Sequence, residues 1–303
     1  METSTLSAVA GVLLLAIVAP IIPGIASRTK ALVAGRRGAP VWQLYADLWK
    51  LARRGAVYSA TTTWLFRIAP TVVVGATLGA VALVPLTGGR APIQFAGDAV
   101  AFAYLLALGR FALVLAALDT GSSFEGLGAS RDVTFAALIE PGLFVALAGL
   151  GVASRSFSLS TMLGMRGAPA AAPASLLIAA SLFALTLAEC SRVPVDDPAT
   201  HLELTMVHEV MVLDHSGPDL AMILYAAALK LAVLAAIIGR VLWPVGADRA
   251  WAAAGVMLAS CVATGLAVGL VESSMARLRL PRVPLYITAG GAMATFGLIL
   301  LIR

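Results

Sequence analysis

Eight stretches of this chain, at roughly 6–26, 68–87, 98–118, 134–152, 173–189, 218–239, 250–270 and 284–302, are apolar over close to a membrane-crossing length. A helix needs about 20 apolar residues to cross the hydrocarbon core of a bilayer. The chain is therefore expected to be an all-α, polytopic integral membrane protein with about eight transmembrane helices. Composition agrees: 60% of its 303 residues are hydrophobic and 12% charged, too little polar surface to cover soluble cores of that size.

Orientation follows from the bias of lysine and arginine toward cytoplasmic loops. The loops after the odd-numbered spans hold Arg28, Lys30, Arg36, Arg37, Lys50, Arg53, Arg54, Arg67, Arg131, Arg192, Arg277, Arg279 and Arg282. The opposite side holds Arg90, Arg155, Arg166, Arg240, Arg249 and Arg303. Thirteen against six places the loops 27–67, 119–133, 189–217 and 271–283 inside and both termini outside. The net charge of +5 thus reads as membrane-orienting charge and not as a nucleic-acid surface. The first apolar run lacks a basic leader and a small-residue cleavage site, so it is expected to remain as a helix. No internal repeat stands out, and residues 1–303 are expected to form a single membrane domain.

The first inner loop contains the run VWQLYADLWKLARRG, in which Val41, Leu44, Leu48 and Leu51 recur on one helical face with Trp42 and Trp49 beside it. That pattern predicts an amphipathic helix in the membrane interface, contacting anionic lipid or supporting a docked soluble partner.

The chemistry-bearing residues concentrate in Glu189–Gly217, ECSRVPVDDPATHLELTMVHEVMVLDHSG, with six of the 16 acids and all three histidines. His208-Glu209 begins like an HExxH zinc site, but position 212 is valine. His201, His208 and His215 are spaced by seven, so on one helix they would share a face. At 1.5 Å per residue each step rises about 10.5 Å, too far for neighbours to share an ion. Cys190 and Cys261 stand alone, which leaves no iron–sulfur or zinc spacing. The Gly/Ser-rich second inner loop lacks the order of a phosphate-binding loop. No cofactor or metal is therefore expected in this chain. Titratable groups along the acidic loop suit proton transfer through water better than ligation.

Charges at bilayer depth are costly and mark internal polar cavities. Arg110, Glu140 and Lys230 fall inside predicted spans, and Glu189 and Glu272 lie at span ends, where snorkelling is cheap. Arg110 and Lys230 could also be paired structural charges. Glu140, which precedes Pro141 where the helix hydrogen-bond ladder opens, is the strongest single candidate, because its depth allows no easy escape to water.

These residues resemble one family, the membrane subunit that is subunit 1 of respiratory complex I and its hydrogenase relatives. The resemblance runs over nearly the whole chain. It is carried by Glu189, Arg192, Pro194–Asp196, Leu202–Leu204 and Ser216–Gly217 in order. LDTGSSFEGLGASRD before IEP, MARLRLPRVP after Glu272 and the long VDDPATHLELTMVHEVMVLDHSG loop look like the hydrogenase-4 component C and formate hydrogenlyase subunit 4 branch. The resemblance implies a plasma-membrane subunit, the inner membrane in a two-membrane cell, that anchors a peripheral nickel-iron hydrogenase arm. Its implied partners are the hydrogenase large and small subunits, an iron–sulfur subunit and antiporter-like membrane subunits. The nickel-iron centre and iron–sulfur clusters would sit in those partners. Matching positions make Arg131, Glu140, Glu189, Arg192, Asp196, Glu203 and Glu209 the expected proton-coupling residues, alongside Arg110, Lys230 and Glu272. In the complex I branch the corresponding cavity receives quinone, so a quinone-site subunit is the alternative reading. A stand-alone ion transporter is a second alternative, and a purely structural anchor a third.

Overall fold

The computed structural model describes residues 2–87, 89–164, 172–197, 206–245 and 249–302, and among these it contains helices and no strands. In chain order the helices are α1 (Glu2–Val18), α2 (Ile21–Val33), α3 (Gln43–Ala52), α4 (Trp64–Ala82), α5 (Asp98–Asp119) and α6 (Ser123–Ser154). They continue with α7 (Leu159–Gly164), α8 (Ala172–Glu189), α9 (His208–Met211), α10 (Gly217–Leu242), α11 (Ala250–Ser274) and α12 (Val283–Ile302). Seven segments are long and apolar enough to cross a membrane, and the fifth expected span is the shorter apolar helix Pro173–Glu189. The all-helical, multi-pass expectation holds.

Span edges moved most at α6. The second inner loop was expected to reach residue 133, but α6 begins at Ser123 and runs 32 residues. Arg131 and Asp132 are therefore helical, on the same rod as Glu140. The reason is local: Leu127 and Ala129 interrupt the polar run with good helix formers, and the buried Gly128 lets α9 lie close against α6. Pro141 does not break this helix. It removes one N–H, so the carbonyl of Ala137 loses its partner on the turn that carries Glu140.

Helix α10 forms the centre, against α4 and α3 on one side and α8 and α11 on others. Helix α12 packs on α6 and α8, α4 on α5, and α2 on α11. Small residues make these approaches close; a Cβ on Gly142 would lie 3.4 Å from the Gly291 Cα. The amphipathic α3 crosses α2 where Gly24 meets the Val41 backbone, and a Cβ there would lie 1.9 Å from the Val41 carbonyl oxygen. Gly217, which closes the acidic loop, has φ +56° and abuts the Gly55 backbone, while the Val57 N–H donates to Ser216 Oγ at 3.0 Å. The Ser-Gly pair thus ties the first inner loop to the start of α10.

Candidate functional site

Four helices converge on Arg110. Its Nε lies 3.6 Å from Asp132, its Nη1 3.3 Å from Glu140 and its Nη2 in direct contact with Glu189. Lys230 of α10 adds a second cation, 3.3 Å from the other Glu189 oxygen. Five ionisable side chains from α5, α6, α8 and α10 therefore form one buried group. The guanidinium fork explains the assembly, since its three nitrogens reach carboxylates lying in three directions. Glu189 is the most enclosed carboxylate, at 6% side-chain exposure, whereas Glu140 is 40% exposed. The exposed side of Glu140 faces a groove of about 360 Å³ between α5 and α6, walled by Ala107, Phe111, Val114 and Ala137.

On its loop side the cluster meets a narrow cavity of about 40 Å³ lined by Arg110, Asp132, Glu189, Lys230, His208 and Thr77. One water needs about 10–15 Å³ of such space, so the cavity suits a short water file.

A second set of ion pairs closes the loop side. Asp196, 3% exposed, pairs with Arg277 at 3.1 Å and accepts the Val207 and His208 amides at 3.1 Å each. Glu272 pairs with Arg192 at 3.4 Å and with Lys30 at 3.8 Å, and Lys30 also reaches Asp197 at 3.9 Å. Arg131 donates to the Met206 carbonyl at 3.2 Å. Of the expected coupling residues, Arg110, Glu140, Glu189 and Lys230 meet in one cluster. Arg131, Arg192, Asp196 and Glu272 form the closure beside it. Glu209 lies half-buried in the α9 turn, and Glu203 and His201 lie outside the described residues.

A helix carrying the histidines would put them on one face, but no helix joins His208 to His215. Helix ends at Met211 after a single turn, and His215 returns to stack on Phe66, with ring centroids 3.9 Å apart and planes 8° apart. Gly217 and the preceding turn, in which the His215 N–H reaches the Val212 carbonyl, bend the chain before α10 begins. Asp132 escaped sequence reading because it was assigned to a loop. Its position two turns before Glu140 on α6 was the available signal. His208, one of the loop's titratable groups, lines the cavity.

His208 and His215, the loop histidines among the described residues, are held neutral. Burial lowers His208 to about 4, assisted by Lys230, and burial lowers His215 to about 4 against the opposing pull of Asp219 and Asp214. An unfolded histidine titrates near 6.5. The folded value is the lower one, so His215 leaves stability intact above about pH 6.5 and removes it as pH falls toward 4. A fall from 6.5 to about 4 corresponds to ~3 kcal/mol at about 1.4 kcal/mol per pH unit. His215→Phe preserves the stack and is expected to flatten that part of the stability–pH curve. Thermal unfolding in detergent at pH 7 and pH 4.5 measures this, and an equal acid loss in both proteins would refute it.

The fold and site define a multi-pass membrane protein that encloses an ionisable cluster beneath a charged loop. The chain belongs to the NADH dehydrogenase family, that of complex I subunit 1, whose sequence profile matches residues 6–301. It is 32% identical over 292 residues to formate hydrogenlyase subunit 4 of Escherichia coli K12, covering 93% of this chain and 94% of that protein. It is 31% identical over 267 residues to hydrogenase-4 component C of the same organism, covering 88% and 82%. A chain in the structure of the membrane-bound sulfane sulfur reductase, an archaeal respiratory membrane complex, shares the fold. Its TM-score is 0.84 at 21% identity over 99% of both chains.

Proposed function

We propose that this chain is the membrane anchor and coupling subunit of an energy-converting nickel-iron hydrogenase or formate hydrogenlyase-like complex. It links redox chemistry in a peripheral arm to proton, or sodium, movement. The observation that carries this reading is the Arg110 cluster, in which three carboxylates (Asp132, Glu140, Glu189) face two cations (Arg110, Lys230). Three negative charges against two positive leave one in excess when all are ionised. An unbalanced charge in a low-dielectric site is costly, so one proton restores neutrality. A change of charge in an arm above the loop would shift that proton. Glu140 is the member placed to release it, since its carboxylate alone opens widely toward the α5/α6 groove. The electrons, the nickel-iron centre and the iron–sulfur clusters belong on this reading to partner subunits, and the setting is the plasma membrane.

The quinone reading has less support. Small-molecule sites occupy roughly 300–1,000 Å³; the cavity between the cluster and the loop is about 40 Å³, and the groove of about 360 Å³ beside Glu140 has largely alanine, valine and phenylalanine walls, with Arg110 and Glu140 as its polar groups.

Purifying a tagged chain from its native membrane in mild detergent tests the assignment. Hydrogenase large and small subunits with an iron–sulfur subunit are expected alongside it. Flavin- and NADH-handling subunits would favour the quinone reading, and a chain that purifies alone would overturn the assembly.

A further inference from the structure

Helix α3 was expected to turn its apolar side to the membrane, but that side is occupied by the protein itself. Leu44, Tyr45, Leu48 and Leu51 are half-buried on the face that packs toward α2 and α10. The exposed face carries Trp42, Trp49, Lys50 and Arg53, at i, i+7, i+8 and i+11, and Arg54 follows at the helix end. Trp42 and Trp49 are 67% and 63% exposed, and the Arg53 guanidinium lies 4.7 Å from the Trp49 ring centroid. The one acid of the helix, Asp47, is half-buried and accepts from Gln43 Nε2 at 2.9 Å. The exposed stripe is therefore aromatic and cationic, with no anion of its own.

The helix is also tied to the first span. The Tyr45 hydroxyl donates to the Ile17 carbonyl, at the α1/α2 break inside the apolar span Leu6–Val33, and Val41 abuts Gly24 of the same span. Arg28 and Lys30 follow Gly24 by four and six residues, so the start of the helix lies near the charged end of that span. We propose that this stripe is a binding site for anionic phospholipid on the lysine- and arginine-rich side of the membrane. The indoles of Trp42 and Trp49 sit at headgroup level and Lys50, Arg53 and Arg54 hold the phosphates. Tryptophan prefers that layer, and basic residues beside a membrane span attract anionic lipid.

The full chain is incubated in detergent with equal phosphatidylglycerol and phosphatidylcholine, and retained lipid is counted by native mass spectrometry. Preferential retention of phosphatidylglycerol is expected. K50Q/R53Q/R54Q is expected to weaken it on the order of 100-fold, from about 1 kcal/mol per cation and tenfold per 1.4 kcal/mol. The charge-conserving K50R/R53K/R54K is expected to retain it, as is R90Q/R155Q in other loops. Equal retention of both lipids by the unmodified chain, or unchanged selectivity in K50Q/R53Q/R54Q, would overturn the proposal. Loss of co-purifying soluble subunits from that variant, without any lipid preference in the unmodified chain, would assign the stripe to an acidic protein surface instead.

Discussion

Arg110→Met is expected to leave no stable protein in the membrane. One guanidinium touches Asp132, Glu140 and Glu189, so its loss strands three carboxylates with Lys230 alone. Removing one partner of a buried ion pair costs about 3–5 kcal/mol, because the remaining charge is left uncompensated. That is comparable to a large share of the 5–15 kcal/mol that separates folded from unfolded states of most proteins. Lys230→Met is expected to cost less, since among the described residues Lys230 pairs with Glu189 alone, at 3.3 Å, and Arg110 remains. Arg110→Lys is expected to fall between, because one ammonium cannot serve carboxylates in three directions. Fluorescence-detected size exclusion after a temperature series in detergent ranks the three. R110M/E189Q tests the cause: removing the most enclosed carboxylate with the arginine should recover part of the loss. A double variant no better than Arg110→Met would mean that packing, not stranded charge, sets the cost.

Asp196→Ala is the second large effect, and it acts on the loop. The Asp196 carboxylate accepts the Val207 and His208 amides and pairs with Arg277, fixing the return of the chain to the cavity. Alanine leaves the Val207, His208 and Asp197 amides and the Arg277 guanidinium without this acceptor, at about 1–3 kcal/mol for each buried group. The expected result is rapid hydrogen exchange across 206–211, with the exchange of α5 and α12 unchanged. Asp196→Asn keeps an acceptor oxygen without the charge and should show a smaller rise. Unchanged protection of 206–211 in Asp196→Ala would show that the loop is held by other contacts.

The spans and most of the cluster were legible because both have strong causes. Twenty-residue apolar runs have few other uses, and Arg110, Glu140 and Lys230 stood out because charge inside them is expensive. What the sequence did not disclose was mutual position. Nothing in the spacing of Arg110, Glu189 and Lys230 says that three helices bring them to one point. Asp132 was hidden by a span edge, since hydropathy marks where α6 enters apolar surroundings and not where it begins to be helical. The seven-residue histidine period suggested a helix that Gly217 and the turn at His215 do not allow. At α3 the amphipathic pattern gave the element correctly but not its neighbour: an apolar face reads the same whether it meets lipid or α10. The paired state of Glu272, with both Lys30 and Arg192, was likewise invisible, because its partners come from the last turn of α2 and from the acidic loop, far apart in the chain.

The central claim is that the Arg110 cluster moves a proton in step with redox turnover, and Glu140→Gln tests it most directly. Glutamine keeps the shape of the side chain and a hydrogen-bonding oxygen for Arg110, but it cannot take up or release a proton. The intact complex, unmodified and carrying Glu140→Gln, is reconstituted into sealed vesicles, and ion translocation is recorded beside the rate of its redox reaction. The account predicts that the Glu140→Gln complex assembles with its full set of subunits, continues redox turnover and moves no ions. An assembled Glu140→Gln complex that translocates at the normal ratio would contradict it.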